Sequence, residues 1–316
     1  MNQTQIRDLI ESRMSQDGLV ETGVPGVRIF RATQAVPCAP AIYEPSVVAI
    51  ASGTKEAVLD GERFVYDNRR YLCCPMSMPV MAGTPNASPE DPLFGVLVSL
   101  DPRVMTDLAI EMEAAGDEIL AGNGARGAQG IRLAEWDNVF ADALLRVLHL
   151  GQSRMDTAIL GSTRLRELYF AILKGEAGRF ARQAFAPGNA IVRSIAQVSA
   201  DLGAPISIDE MAARAGMSRA VFHRKFKHAT RMSPIQFVKA MRLNSAAMKI
   251  SGGMTVNAAA LDVGYVSASQ FSREFKRLYG RSPRRWGEAQ HLQPELAGPT
   301  RRTGAKRETR PRATSG

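Results

Sequence analysis

The residues of this sequence best equipped for chemistry come in two copies, 49 positions apart. Ser218 matches Ser267, Phe222 matches Phe271, Arg224 matches Arg273 and Phe226 matches Phe275. Lys227 with Lys276, Ser233 with Ser282 and Pro234 with Pro283 extend the same register. Each copy reads Ser-x-x-x-Phe-x-Arg-x-Phe-Lys, followed by Ser-Pro, and agreement at seven positions marks an internal repeat. The polar members are of types suited to reading a major groove. Arg guanidinium forks fit guanine edges, Gln amides fit adenine edges, and Lys ammonium groups suit phosphates.

Each copy must be carried on a helix–turn–helix. In the first, Ser207-Ile208-Asp209-Glu210 predicts a capping box, and a helix through Met211 and Ala212 runs to Gly216. Ser218 then caps a second helix through about His228. In the second copy Thr255 caps a helix running to Gly264, and Ser267 caps another through about Leu278. At 100° per residue the aromatics Phe222 and Phe226 face inward, as do Phe271, Phe275 and Leu278. Arg219, Ala220, His223, Arg224 and Lys227 share the open arc of the first helix. The open arc of the second holds Ser269, Ser272, Arg273 and Lys276, with Gln270 and Arg277 at its edge.

A spacer helix over 235–250, striped by Phe237, Val238, Met241 and Ala246, would hold both copies on one side of a duplex. Lys239 and Arg242 are expected to stay available for the backbone. The two reading helices would then enter major-groove segments about 34 Å apart.

Charge agrees with a polyanionic partner. The chain has 316 residues with 40 Lys+Arg against 31 Asp+Glu, a net of +9. Residues 189–316 alone hold 22 basic and 8 acidic residues, a net of +14, whereas 1–188 carry −5. A hydrophobic content of 45% excludes a mostly disordered chain, and the length favours two domains. Three cysteines, Cys38, Cys73 and Cys74, make neither a disulfide framework nor a Cys-x-x-Cys pair. The opening residues lack the apolar stretch of a secretory signal, and no apolar run approaches the ~20 residues of a membrane span. A soluble, cytoplasmic protein with no membrane partner is expected.

Upstream of the repeat, short apolar runs at 27–35, 47–51, 57–59, 63–66, 71–74 and 94–100 predict a small β-barrel or sandwich. Asp60-Gly61 predicts a two-residue hairpin turn. A short amphipathic helix over 5–13 precedes the strands, with Ile6, Leu9 and Ile10 on one side. After Asp101-Pro102 the period turns helical, through Val104, Leu108 and Met112, then Val139 to Val147, then 163–173, with a Gly-rich break at 122–130. This helical segment either forms a dimerisation element or covers the β core. The expected layout is a β-rich regulatory domain over 1–100, the helical segment over 101–189, a DNA-binding domain over 190–292 and a basic disordered tail over 293–316.

At these residues the sequence resembles the arabinose-operon regulator (AraC/XylS) family of bacterial transcription factors, over roughly 190–288. Arg242-Leu243, Gly264-Tyr265 and Arg281-Ser282-Pro283 belong to the match. The N-terminal part is similar to one subgroup's cupin-like sensor domain at Tyr43-Glu44-Pro45-Ser46, Gly53, Lys55, Tyr66-Asp67, Tyr71-Leu72, Pro79-Val80 and Ala87-Ser88-Pro89-Glu90. The resemblance implies a multidomain fold: an N-terminal cupin-like β-barrel with a helical segment, and a C-terminal all-α domain with two helix-turn-helix motifs. It also implies a sequence-specific regulator of transcription on double-stranded DNA, homodimeric, controlled by a small-molecule effector and working with RNA polymerase. Carried over by position, Arg219, His223, Arg224, Ser269, Gln270 and Arg273 are base-contact candidates, and Lys227 and Lys276 are phosphate candidates. The sequence departs from the family at Ala220, where relatives often carry a larger groove-contacting side chain, and at Cys73-Cys74, where the subgroup more often has aliphatic residues.

Other readings fare worse. Cupin enzymes hold metal with His, but the four histidines are His149, His223, His228 and His291, none within 1–148. No Gly-x-Ser-x-Gly elbow or phosphate loop occurs, and a zinc-bound methyl-acceptor cluster lacks its cysteines. No enzyme, no cofactor and no metal is therefore expected. A sequence-indifferent architectural binder would need charge alone, whereas Gln, Ser and His lie among the arginines. Cys73 and Cys74 are either small buried strand residues or an effector or redox site, with Arg69-Arg70 as the nearby cations. Met76, Met78 and Met81 fit either a soft-metal or adaptable ligand pocket or, as the favoured reading, core filling.

Overall fold

Alternation of apolar residues along the N-terminal strands sorts their side chains onto two faces, and both faces find cover. The computed structural model describes residues 2–116 and 130–290. Helix α1 (Asn2–Arg13) comes first, then β1 (Gly18–Glu21), β2 (Val27–Ala32), β3 (Val36–Tyr43), β4 (Ser46–Ser52), β5 (Lys55–Leu59), β6 (Glu62–Tyr66), β7 (Arg70–Cys74), β8 (Met78–Thr84) and β9 (Leu93–Ser99). Helix α2 (Pro102–Ala114), strand β10 (Arg132–Glu135), and helices α3 (Asn138–Leu150), α4 (Arg154–Lys174) and α5 (Gly178–Phe185) follow. The antiparallel strands form a six-stranded sheet ordered β1-β2-β9-β4-β7-β10 and a four-stranded sheet ordered β3-β8-β5-β6.

In the larger sheet Phe30, Val48, Ile50, Leu72 and Leu97 point toward the smaller one. Their alternates Ile29, Val47, Ala49, Val96 and Val98 point the other way, into a layer built by α1 to α5. This two-sided burial explains the nearly continuous apolar runs of β4 and β9. It also decides between the two readings of the helical segment on one point: α2 to α5 cover the β core.

The Asp60-Gly61 turn is as expected, with φ of +49° and +81° joining β5 to β6. Strands β1, β3, β8 and β10 were not foreseen. β3 holds Pro37 and Pro40 and tolerates them because it is the edge strand of its sheet. All of the expected Gly-rich break at 122–130 except Gly130, and the basic tail at 293–316, lie outside the described residues.

The remaining helices are α6 (Ala190–Ala200), α7 (Ile208–Arg214), α8 (Arg219–Thr230), α9 (Pro234–Ser251), α10 (Val256–Asp262), α11 (Ala268–Tyr279) and α12 (Pro283–Gln290). The repeated Ser-Pro pair is a helix start in both copies. Ser233 closes a capping box with Gln236 before Pro234, and Ser282 accepts from the Arg285 amide before α12. The core around α8 and the front of α9 is continuous with the barrel interior, while α10, α11 and the rear of α9 enclose a smaller cluster. No helix among the described residues is long and apolar enough to cross a membrane.

Candidate nucleic-acid interface

Local hydrogen bonding starts and stops both reading helices at matched positions. Ser218 Oγ accepts from the Val221 amide at 3.4 Å to open α8, and Ser267 Oγ accepts from the Gln270 amide at 3.2 Å to open α11. Both helices have 12 residues. Both end on a left-handed residue, Arg231 at φ +67° and Gly280 at φ +71°, 49 positions apart like the rest of the repeat. The preceding helices α7 and α10 are capped by Ser207 and Thr255. Their turns contain Gly216 at φ +65° and Gly264 at φ +83°. Ser207 caps as expected, but the Glu210 carboxylate goes to Arg214 at 3.4 Å, with no reciprocal capping bond.

Aromatic packing fixes how each helix is rotated. Phe222, Phe226, Phe271 and Phe275 are all 0% exposed. The Phe226 ring meets Phe237 of α9 at 5.3 Å, and the Phe275 ring meets Tyr279 at 4.6 Å and Trp286 of α12 at 6.0 Å. Each buried Phe contributes roughly 1.5–3 kcal/mol, so neither helix can roll without losing most of its anchoring. Leu278, expected inside, is 51% exposed and stands apart from this packing.

The opposite face is polar and open. Arg219, His223, Arg224 and Lys227 of α8 are exposed, as are Ser269, Gln270, Arg273 and Lys276 of α11. Among the described residues the side chains of His223, Arg224, Lys227, Arg273 and Lys276 have no hydrogen bond or ion pair, so they are free to meet a ligand. Arg219 is paired with Asp209 of α7 at 3.1 Å. Gln270 Nε2 donates to Glu274 at 3.4 Å, and the Ser269 and Ser267 hydroxyls are 3.0 Å apart.

Two expectations are corrected on α9. Lys239 is bonded to Glu274 at 3.1 Å, and Arg242 donates to the carbonyls of Ala204 at 2.8 Å and Gly264 at 3.4 Å. Arg242 braces the turn before α11, and Lys239, still 41% exposed, is engaged by an α11 carboxylate rather than unpartnered. Glu274, which helical phase did not single out, is the acceptor at the centre. Burial works to raise its carboxyl pKa, but hydrogen bonds from Tyr265, Lys239 and Gln270 outweigh this and hold it below the usual value.

Residues 211–289 match the family model described as a helix-turn-helix domain, and residues 23–180 match the AraC-type transcriptional regulator N-terminus. The chain belongs to the AraC-type transcriptional regulators. It is 41% identical over 78 residues to the transcriptional regulator MtrA of Neisseria gonorrhoeae, a match covering 24% of this chain and 26% of that one. To the regulatory protein SoxS of Escherichia coli K12 it is 31% identical over 90 residues, 28% of this chain and 84% of SoxS. The solved structure of ToxT from Vibrio cholerae shares the fold, with a TM-score of 0.54 at 10% identity, over 84% of this chain and 97% of that one.

In this AraC-type regulator the C-terminal ends of both reading helices are tied to the β domain. Arg231, directly after α8, forms an ion pair with Glu62 at the start of β6. Tyr279, the last residue of α11, donates to Asn244 Oδ1 of α9 at 2.7 Å. Asn244 Nδ2 in turn donates to the carbonyls of Ala41 on β3 at 2.8 Å and Val80 on β8 at 2.9 Å. Thr230 and Tyr279, which end the two helices, occupy equivalent positions of the repeat. Asn244 is 5% exposed with both its amide nitrogen and its oxygen engaged, and nothing in its sequence context signals that role.

Cys73 and Cys74 sit on opposite faces of β7, one in the helix-covered layer and the other inside the barrel. Both are 0% exposed. Burial pushes the Cys73 thiol up to about 12 and the Cys74 thiol well above its ordinary value, which works against the thiolate form of both.

Proposed function

We propose that this regulator reads one duplex DNA sequence with α8 and α11 in successive major-groove segments, and that the β domain controls how those helices are presented. One observation carries the reading: two 12-residue helices with matched caps each bury a Phe pair on one side and present unpartnered cations on the other. Arg224 and Arg273 are assigned to guanine edges, His223, Ser269 and Gln270 to neighbouring base positions, and Lys227 and Lys276 to phosphates. Arg219 joins the base contacts by exchanging Asp209 for DNA. Every role is one of binding, and none is catalytic.

Control by a small molecule is supported by the tie between β domain and reading helices. A solved ToxT structure of the same fold, 12% identical, carries an unsaturated fatty acid. An effector that repacks the β domain alters the Asn244 and Glu62 contacts, and so the freedom of α8 and α11. A second copy is assigned to the front of α4, where Met155 and Ile159 are 69% and 67% exposed one turn apart. RNA polymerase is the remaining partner through which promoter-bound protein changes transcription, and the protein works in the cytoplasm, where bacterial DNA lies.

The test is a competition gel shift at physiological salt with a site selected from random DNA. Unlabelled selected site should displace the probe about a thousandfold or more better than unrelated duplex, the low end of the usual range of specificity ratios. Equal competition would instead make the protein an architectural binder.

A further inference from the structure

The barrel interior contains an ammonium group without a counter-ion. Lys55, the first residue of β5, is 7% exposed and alternates with Ala57 and Leu59, which line the space between the sheets. Its Nζ lies 5.8 Å from the centre of the Phe30 ring. Among the described residues it has no hydrogen bond and no ion pair. The adjacent acid, Glu56, is committed elsewhere, to Arg63 and to the Cys38 thiol. Desolvation by burial pulls the lysine pKa down to about 8.

A second orphan lies beside it. Thr84 is 2% exposed, and its Oγ1 has no partner among the described residues. It alternates with Val80 and Ala82, so its side chain also turns inward. Strands β5 and β8 pair Ala57 with Ala82 and Glu56 with Gly83, and the next step in that register sets Lys55 across from Thr84. On its other flank Lys55 pairs with Tyr66, whose hydroxyl lies 3.0 Å from that of Tyr43. Hydroxyl, ammonium and phenol thus form one row on an otherwise apolar wall. Buried charges and hydroxyls are ordinarily satisfied, so two orphans side by side point to a missing ligand.

We propose that this row binds the carboxylate of a small, otherwise apolar organic acid, with Lys55 as its counter-ion and Thr84 as a hydrogen-bond donor. The inference rests on reading the β domain as the effector-binding part and names the class of effector. One positive charge beside one free hydroxyl matches a monoanion, whereas a phosphate brings more acceptors than the row can satisfy. The Phe30 ring, packed so closely over Gly95 that a Cβ there would come within 2.2 Å, supplies an apolar wall for the rest of the molecule. The seat also communicates. Strand β8 carries Thr84 on its inner face and, four residues back, the Val80 carbonyl that receives Asn244.

The experiment is thermal melting of the full-length protein without DNA, so a failed DNA-binding experiment would leave its result untouched. The probes are octanoate, decanoate, cinnamate and 2-naphthoate, each beside its primary amide, together with inorganic phosphate. At least one carboxylate should raise the wild-type midpoint by several degrees, while its amide and phosphate leave it within about one degree. Lys55→Met should abolish that response and, without ligand, melt above the wild type, because an unpaired buried charge is gone. Thr84→Val should keep the fold and weaken the apparent affinity about tenfold. The proposal is overturned if no carboxylate shifts the wild type, if phosphate shifts it equally, or if the response survives in Lys55→Met. Ligand-free melting of Lys55→Met below the wild type, or an unchanged affinity in Thr84→Val, would also overturn it.

Discussion

Replacing Asn244 with Leu tests whether the reading helices are held to the β domain in solution. The substitution keeps the branched outline of the side chain, though it is bulkier, and removes three hydrogen bonds, to Ala41 O, to Val80 O and from Tyr279 Oη. Each is worth about 0.5–1.5 kcal/mol net, so the total cost should be about 3 kcal/mol. At roughly 2–4 °C per kcal/mol for a chain approaching this size, the melting midpoint should fall by about 6–12 °C. Tyr279→Phe removes one of the three and should cost about 1 kcal/mol. In a double-mutant cycle with Asn244→Leu it should show a coupling of similar size, because the two side chains are in direct contact. Calorimetry or urea denaturation of the full-length variants supplies the numbers. DNA binding should persist in Asn244→Leu, since no reading side chain is altered, while its response to effector is lost. A cost below about 0.5 kcal/mol for Asn244→Leu would refute the tie.

Lys227→Ala and Lys276→Ala should each weaken binding to all sequences alike and reduce the salt slope by about one, as measured by fluorescence anisotropy from low to high salt. The two turn glycines should respond differently to alanine. At Gly264 a Cβ meets Gly203 O at 2.8 Å and Arg242 Nη2 at 3.0 Å, whereas at Gly216 it meets open space. Gly216→Ala should therefore cost only the ~1 kcal/mol of positive φ and Gly264→Ala clearly more, by chemical denaturation. Ellman titration of the native protein near pH 8 should leave Cys73 and Cys74 unreacted until denaturant is added, because burial holds both thiols protonated. Rapid modification of either in the folded protein would contradict that assignment.

The repeat was legible because its determinants are local. Caps at Ser218 and Ser267 and the buried Phe pairs act within a turn or two of chain, which spacing alone reveals. Helical phase identified the exposed cations but not their partners. Lys239 and Arg242 read as free because phase cannot show Glu274 or two turn carbonyls arriving from other helices. Strands β3 and β8 were hidden by prolines and by a methionine cluster that reads equally as core filler. The Asn244 contacts span 203 and 164 residues of chain, and a separation of that size leaves no periodic trace. Lys55 was visible only as part of a family motif, since its lack of a partner is a property of the folded barrel.

The central claim is that α8 and α11 read separate stretches of one site, and selection from random DNA by wild type, Arg224→Ala and Arg273→Ala tests it most directly. The wild type should enrich a non-palindromic motif with two informative blocks about one helical turn apart. Each variant should relax preference in a different block, by ~1–3 kcal/mol per guanine, and leave the other block intact. If both variants relax the same positions, or if the wild type enriches one block alone, the two helices do not act as paired readers.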